Sequence, residues 1–140
     1  MTVSFTVPGE PQGKGRPRFS SRNGRTFTHT PEKTVLYENL VATEYDMQAD
    51  GYRFPDGAMI GMQICAYYSI PKSASKRKQS AMYAGDIKPT KKPDADNVLK
   101  CVADSLNGIA YRDDAQIVTA TIEKLYSDVP RVEVTLVDWT

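Results

Sequence analysis

Two carboxylates stand one residue apart in Asp94-Ala95-Asp96-Asn97-Val98-Leu99-Lys100, and a second acidic pair follows in Asp113-Asp114-Ala115-Gln116. Carboxylates gathered in this way repel one another unless a hard cation sits among them. Magnesium is such a cation, taking a few carboxylates and completing its shell with water and phosphate oxygens. Lys100 follows Asp96 by four residues, so on a helix the two share a face. Just upstream runs Lys88-Pro89-Thr90-Lys91-Lys92-Pro93, a basic stretch suited to holding phosphate. Acids for a metal beside bases for a phosphate backbone are the layout of metal-assisted phosphodiester cleavage. In that chemistry a metal polarises the scissile phosphate and activates a water. Asp94, Asp96, Asp113 and Asp114 are the candidate ligands, and Lys100 orients the water or offsets developing negative charge. Each acid also has a plainer role open to it. Asp94 and Asp96 suit the first turn of a helix, as caps and as partners of its dipole, and Asp113-Asp114 suit a turn. A calcium loop fits poorly, because the spacing lacks the glycine and the terminal glutamate it needs.

These residues need elements to hold them. Val3, Phe5 and Val7 alternate with polar residues, which predicts a first strand over Thr2 to Val7. Pro8 to Arg25 is rich in Gly, Pro and Arg without a period and is read as a long loop. Thr30 and Pro31 open a helix, with Thr30 as N-cap. Its apolar face is Val35, Leu36, Leu40, Val41 and Tyr45, and it ends near Ala49-Asp50-Gly51. A strand over Ala58 to Ile70 stops at Pro71, with Tyr67 and Tyr68 on opposite faces. A basic helix spans Ser73 to Ala84. Asp94 to Asn107 is a helix with Val98, Leu99, Val102 and Leu106 inward, stopped by Asn107-Gly108. Strands over Ile117 to Tyr126 and Val132 to Val137 are expected to form a hairpin through Val129-Pro130. The order is β-α-β-α-α-β-β, a single α+β domain over residues 1–140 with a mixed sheet packed by helices.

A chain of 140 residues, 40% hydrophobic and 25% charged, suits one compact globular domain. No apolar run is long enough for a membrane span. The opening Met1-Thr2-Val3-Ser4 lacks the basic and apolar segments of a signal peptide, so a cytoplasmic protein is expected. Cys65 and Cys101 are far apart, outside any metal-spaced pair, and are read as buried free thiols. The net charge of +1 conceals alternating blocks: +4 over residues 1–30, −4 over 31–70, +6 over 71–92 and −5 over 93–140. That distribution suits a protein that binds a polyanion while holding cations in a carboxylate site. Candidate DNA contacts are Lys14, Arg16, Arg18, Arg22 and Arg25 in the first block, and Lys76, Arg77, Lys88, Lys91 and Lys92 in the second. Such contacts position a backbone without reading sequence. Phe19 and Phe27 are read as anchors of the loop on the core, with insertion at a branch point as the alternative. Gly9 to Lys14 is not a P-loop, being one residue short and lacking Ser or Thr after the lysine.

The pattern Asp94-x-Asp96-Asn97-x-x-Lys100, then Asp104, then Asp113-Asp114-x-Gln116, resembles the RusA family of Holliday-junction resolvases. Pro8-Gly9-Glu10-Pro11-Gln12-Gly13-Lys14-Gly15-Arg16-Pro17-Arg18-Phe19 and Thr30-Pro31-Glu32-Lys33-Thr34-x-x-Tyr37-Glu38 resemble its bacterial and phage branch. The resemblance implies a Mg2+-dependent crossover junction endodeoxyribonuclease. It also implies a homodimer that makes paired symmetric nicks in four-way junction DNA during recombination and repair. By this carry-over Asp94, Asp96 and Asp114 are catalytic, metal-binding carboxylates and Lys100 is the catalytic lysine. Asp113 has the weaker claim, orienting the loop or binding metal through water. A two-fold dimer would offer two equivalent sites to a nearly two-fold junction. A non-catalytic branched-DNA-binding module and a flap- or fork-selective nuclease are the alternatives. The 71–92 segment matches no feature of the family, and its role rests on charge alone.

Overall fold

The structure, a computed structural model, describes residues 1–15, 18–29 and 31–140. Four strands form the main sheet: β1 (Thr2–Pro8), β4 (Ile60–Ser69), β5 (Ile117–Ser127) and β6 (Arg131–Asp138), in the order β1-β6-β4-β5. β1 and β4 run antiparallel to β6, and β5 runs parallel to β4. The register lines up Phe5, Val134, Ile64 and Ile122 in one row across all four strands. Period-two alternation sends that row and its neighbours to a single face, where Val3, Val7, Ile60, Met62, Tyr68, Val132 and Leu136 are also buried. Tyr67 and Tyr68 divide as expected: Tyr68 is buried, and Tyr67 lies on the other face beneath the Arg131 guanidinium, 3.9 Å from its ring centroid.

The α+β class and mixed sheet hold, with two corrections to the connections. β5 and β6 do not pair as a hairpin, because β4 lies between them. β4 buries five alternate residues and is the strand best suited to a central position, whereas much of β5 is exposed and takes an edge. The second correction lies in the Gly/Pro/Arg-rich stretch, which contains a hairpin of β2 (Arg18–Arg22) and β3 (Arg25–His29). Its two-residue turn is Asn23-Gly24, both at positive φ (54° and 75°), as a type I′ turn requires. The expected N-cap Thr30 lies outside the described residues.

Two helices cover the apolar face of the sheet. α1 (Glu32–Gln48) ends where expected but is rotated from the expected face. Thr34, Tyr37, Val41 and Tyr45 are buried, and Leu40 packs at the edge of the core, whereas Leu36 is 62% exposed and Val35 42%. The aromatic residues set this rotation: Tyr45 meets Phe5 edge-on at 5.2 Å and donates its hydroxyl proton to the Tyr52 carbonyl, 2.6 Å away. α3 (Ala95–Ser105) buries Val98, Cys101 and Val102, with Leu106 just beyond its end. Burying each such aliphatic side chain contributes about 1.5–3 kcal/mol. Cys101 is thus a buried thiol as expected, but Cys65 faces the open side of the sheet and is only half-buried; both are free. α2 (Lys76–Ala84) is shorter than expected and buries no residue. Among the described residues, no helix is long and apolar enough to cross a membrane.

Parallel strands require a crossover, and here the crossover from β4 to β5 is α2 followed by α3. α3 therefore starts near the end of β4 and returns to the start of β5, which sets where its polar residues lie.

Candidate active site

The start of α3 is fixed by the end of β4. The buried Tyr68 hydroxyl donates to the Pro93 carbonyl at 2.6 Å, just after a cis Lys92–Pro93 peptide bond. Burial, with the Asp94 and Glu10 carboxylates as smaller causes, pushes the Tyr68 pKa up to about 12. Asp94 occupies the N-cap position, but its side chain accepts no capping hydrogen bond. The capping role considered for Asp94 is therefore unfilled, while its place at the helix N-terminus keeps the dipole contact, and its exposed carboxylate is available to other partners. From Asp94 on, the helix sorts its residues by angle. At about 100° per residue, Asp96, Lys100, Asp104 and Asn97 fall within one arc of about 100°. The buried Val98, Cys101 and Val102 point elsewhere.

The other end of the site is a 3-10 turn, Asp114–Gln116, before β5. Asp113 and Gln116 form a capping box: Asp113 accepts from the Ala115 N–H at 3.0 Å, and the Gln116 side-chain oxygen accepts from the Arg112 and Asp113 N–H groups at 3.1 and 3.4 Å. The Gln116 amide also donates to the Pro55 and Ala58 carbonyls. Of the two roles open to Asp113, the geometry engages its carboxylate in orienting the loop. Asp114 is aimed differently. Its N–H donates to the Asn107 side-chain oxygen at 2.8 Å, and the Asn107 amide donates to its carboxylate at 3.4 Å.

Asp104, named in the family pattern but given no role by the sequence reading, lies one further turn along the Asp96–Lys100 stripe. Its carboxylate is paired with the Lys14 ammonium and lies close enough to that of Asp114 for each to influence the other's protonation. Burial and then the neighbouring Asp104 carboxyl raise the pKa of Asp114, with the Asn107 amide opposing. Burial acts to raise Asp104 as well, but the hydrogen bonds of Lys14 and of Asp114, then the charges of Lys14 and Lys100, bring it below the usual carboxylate range. Lys14 is raised in turn, chiefly by its bond to Asp104. Lys14, expected to face DNA, therefore serves in this structure as the counter-ion of an acidic pair.

The loop carrying Lys14 is seated on α3 and α1. The Asn97 amide donates to the Lys14 carbonyl at 3.2 Å, and the Gly15 N–H donates to the Thr34 hydroxyl at 2.9 Å. A Cβ at Gly13 would collide with the Asn97 amide and stand 3.1 Å from Pro93, so a side chain there would displace the amide that holds the Lys14 carbonyl. A recess of about 330 Å³ between α3 and β5 is lined by Leu99, Lys100, Ala103, Asp114, Ile117 and Ala120. The structure thus brings Asp114 together with Lys100 and Asp104. It leaves Asp94 at the opposite end of an 11-residue helix, about 16 Å long at 1.5 Å per residue.

Among the described residues, no group of three or more His, Cys, Asp or Glu converges closely enough to hold a metal ion. Magnesium makes a smaller demand, binding through one or two carboxylates and keeping several waters. The donors here fit it in kind, being carboxylate oxygens with no thiolate or imidazole among them. Two carboxylates in contact, one with its pKa raised, are a place where a cation relieves repulsion.

The basic candidates are dispersed. Arg16 lies outside the described residues, as do the side chains of Arg18, Arg22 and Phe27, while Arg25 is exposed on the hairpin. Phe19 is 75% exposed, so it does not anchor this segment on the core. Lys76 and Arg77 are exposed on α2, and Lys91 and Lys92 before α3. Lys88 lies 3.7 Å from Glu123, and the Lys91 carbonyl accepts from Lys124 at 2.6 Å.

The family described as Endodeoxyribonuclease RusA matches residues 8–137 of the chain. The chain is also 41% identical over 137 residues to the uncharacterized protein YqaN of Bacillus subtilis (strain 168), covering 94% of this chain and 93% of that protein.

Proposed function

The chain belongs to the RusA endodeoxyribonuclease family, and from that footing we propose that it is a magnesium-dependent endonuclease that resolves four-way DNA junctions by paired symmetric nicks. The observation that carries this reading is the contact of Asp114 with Asp104 beside Lys100, at the end of the stripe that begins with Asp96. Asp114, with Asp104 beside it, is the residue we assign to holding the metal; Asp94 and Asp96, assigned to the same task by the family pattern, lie toward the other end of α3. When bound, magnesium supplies a Lewis acid for the scissile phosphate and an activated water.

The protein's own side chains have separate tasks. Lys100, exposed midway along the stripe, offsets negative charge that develops on the phosphate oxygens. Asp113 holds the turn that aims Asp114. Arg16, Arg18, Arg22 and Arg25, on and beside the hairpin, track the DNA backbone, and exposed Phe19 suits insertion at the branch point. Lys76, Arg77, Lys88, Lys91 and Lys92 extend the basic surface. A homodimer would match its two sites to the two-fold symmetry of the junction, and roles in recombination and repair are what the family resemblance implies.

The test is a labelled synthetic four-way junction with magnesium, beside linear duplex, flap and fork substrates. Symmetric nicks in the junction that are lost in Asp96→Asn, with junction binding retained, are the expected result. An Asp96→Asn protein that cuts at the normal rate refutes the site. Equal cutting of flaps and forks refutes the junction as the preferred substrate.

A further inference from the structure

We propose that the groove beside α2 is a second nucleic-acid site, one that holds an unpaired stretch of DNA strand by stacking a base on Tyr83 and pairing its phosphate with Lys72 and Lys76. The groove encloses about 800 Å³, where α2 faces the end of β4 and the link between β5 and β6. Lys76, Gln79, Ser80 and Tyr83 line it at the i, i+3, i+4, i+7 spacing of one helix face.

Several observations point to a ligand. α2 buries no residue and so contributes little to the core. It is nevertheless closely held. Ser75 caps its start by accepting from the Lys78 N–H, and Gly85, at φ 88°, ends it with its N–H directed to Ala81 and Met82. The Gln79 amide reaches the carbonyls of Pro71, Lys72 and Ala74, the last at 2.9 Å, which ties the segment carrying Lys72 to the helix. A helix secured by caps and one glutamine, with no apolar anchor, presents a surface. On that surface the Tyr83 ring is 68% exposed. Lys72 and Lys76 are exposed and pair with no carboxylate among the described residues.

The chemistry of the lining selects the occupant. Unneutralised lysines call for an anion, and an open tyrosine face calls for a flat ring. A nucleotide carries both. Lys76 and Tyr83 are about 10 Å apart along the helix at 1.5 Å per residue, far enough to engage a phosphate and a base separately. Asp128, also in the lining, is an acceptor for the exocyclic amine of a base. In a paired duplex the base faces are covered by their neighbours, so stacking on a side chain requires an unpaired base. Position supports the same conclusion. Ser69 lines the groove, and its neighbour Tyr68 fixes Pro93 and the start of the acidic helix. The inference rests on the chain acting on DNA but not on its cutting it.

The test is fluorescence anisotropy with a short labelled single-stranded oligonucleotide in metal-free buffer containing chelator. Tyr83→Ala should weaken binding roughly 5- to 150-fold, the range for loss of one stacked base. Tyr83→Phe, which keeps the ring, should bind as the unaltered protein does. The pair Lys72→Gln and Lys76→Gln should lower the salt slope of binding by about 0.7, the value for one phosphate contact on a single strand. Because the exposed Tyr83 ring contributes nothing to the core, an unchanged melting temperature separates lost binding from lost fold. Equal affinity for Tyr83→Ala and the unaltered protein overturns the proposal, as does an oligonucleotide that does not bind at all. Binding is read without magnesium and without cutting, so either failure is distinct from a failure of the same preparation to nick junctions.

Discussion

Replacing Lys14 by methionine removes the counter-ion of the Asp104–Asp114 pair while keeping most of the side-chain stem. The Lys14 and Asp104 side chains are 29% and 23% exposed. Their interaction therefore falls between a surface ion pair, about 0.2–1 kcal/mol, and a hydrogen bond to a charged buried group, about 1.5–3 kcal/mol. A loss of about 1–2 kcal/mol at neutral pH follows, a fall of roughly 3–8 °C in melting temperature for a domain of this size. The pH dependence has a definite sign. The Asp104 pKa is lowered on folding, so its contribution is present above the ordinary carboxylate range near about 4 and is lost as pH falls through the folded value. The Lys14 pKa is raised, so its contribution is full at neutral pH and is lost only as pH rises through the folded value. Asp114, raised on folding, costs stability once it ionises, and it costs more when Lys14 is absent. The gap between the two proteins should thus be widest near neutral pH and should close in acid. Thermal unfolding followed by circular dichroism across that range measures it, and magnesium gives a second reading. A cation that takes the place of the ammonium should raise the melting temperature of Lys14→Met more than that of the unaltered protein. A gap of the same size in acid and at neutral pH, or none at neutral pH, refutes the electrostatic account. Equal magnesium stabilisation of both proteins refutes the shared cation position.

The adjacent acids of the second pair should separate in their effects. Asp113→Ala should cost about 0.5–2 kcal/mol as the loss of a cap and reduce nicking only in part, whereas Asp114→Asn should abolish nicking with little loss of stability; urea titrations beside the junction assay distinguish them. The Tyr37 hydroxyl is buried with no well-formed hydrogen bond among the described residues, the Gln12 backbone being a polar neighbour, and burial drives its pKa well above the ordinary tyrosine value. Tyr37→Phe should therefore leave stability unchanged or raise it by up to about 1 kcal/mol, and a fall in the urea midpoint would show that the hydroxyl has a partner.

Much of the fold was legible because burial imposes a period. Val3, Phe5 and Val7 alternate, Val98, Val102 and Leu106 recur at helical spacing, and all six are buried. Where the period was ambiguous, the reading failed. Leu36 is apolar and sits in α1, yet Tyr37 and Tyr45 take the core, since large aromatic rings bury more area than a leucine. Strand pairing was not legible at all from neighbouring segments. Nothing in Asp128-Val129-Pro130 reveals that β4, some sixty residues earlier, lies between β5 and β6. The β2–β3 hairpin, by contrast, did carry a signal. Asn23-Gly24 between Arg22 and Arg25 is a strong two-residue turn, but it was obscured by the glycines, prolines and arginines around it.

The site divides along the same physical line. The Asp96–Lys100 face and the helix stop at Asn107-Gly108 follow from local spacing and were read correctly as geometry. What spacing could not supply is the long-range contact that completes the cluster. Lys14 reaches Asp104 across 90 positions, and Asn97 returns to the Lys14 carbonyl across 83. Composition alone assigned Lys14 to DNA along with its neighbouring arginines, because a lysine in a basic loop is indistinguishable from the rest until the loop is seated. The seating itself is encoded in small features: Gly13, which leaves room for Asn97, and Thr34, whose hydroxyl accepts from Gly15. Each is a weak signal alone. Together they bind the start of the arginine-rich segment to the helix that carries the acids, so the position of the basic segment and the charge balance at Asp104 and Asp114 depend on the same few contacts.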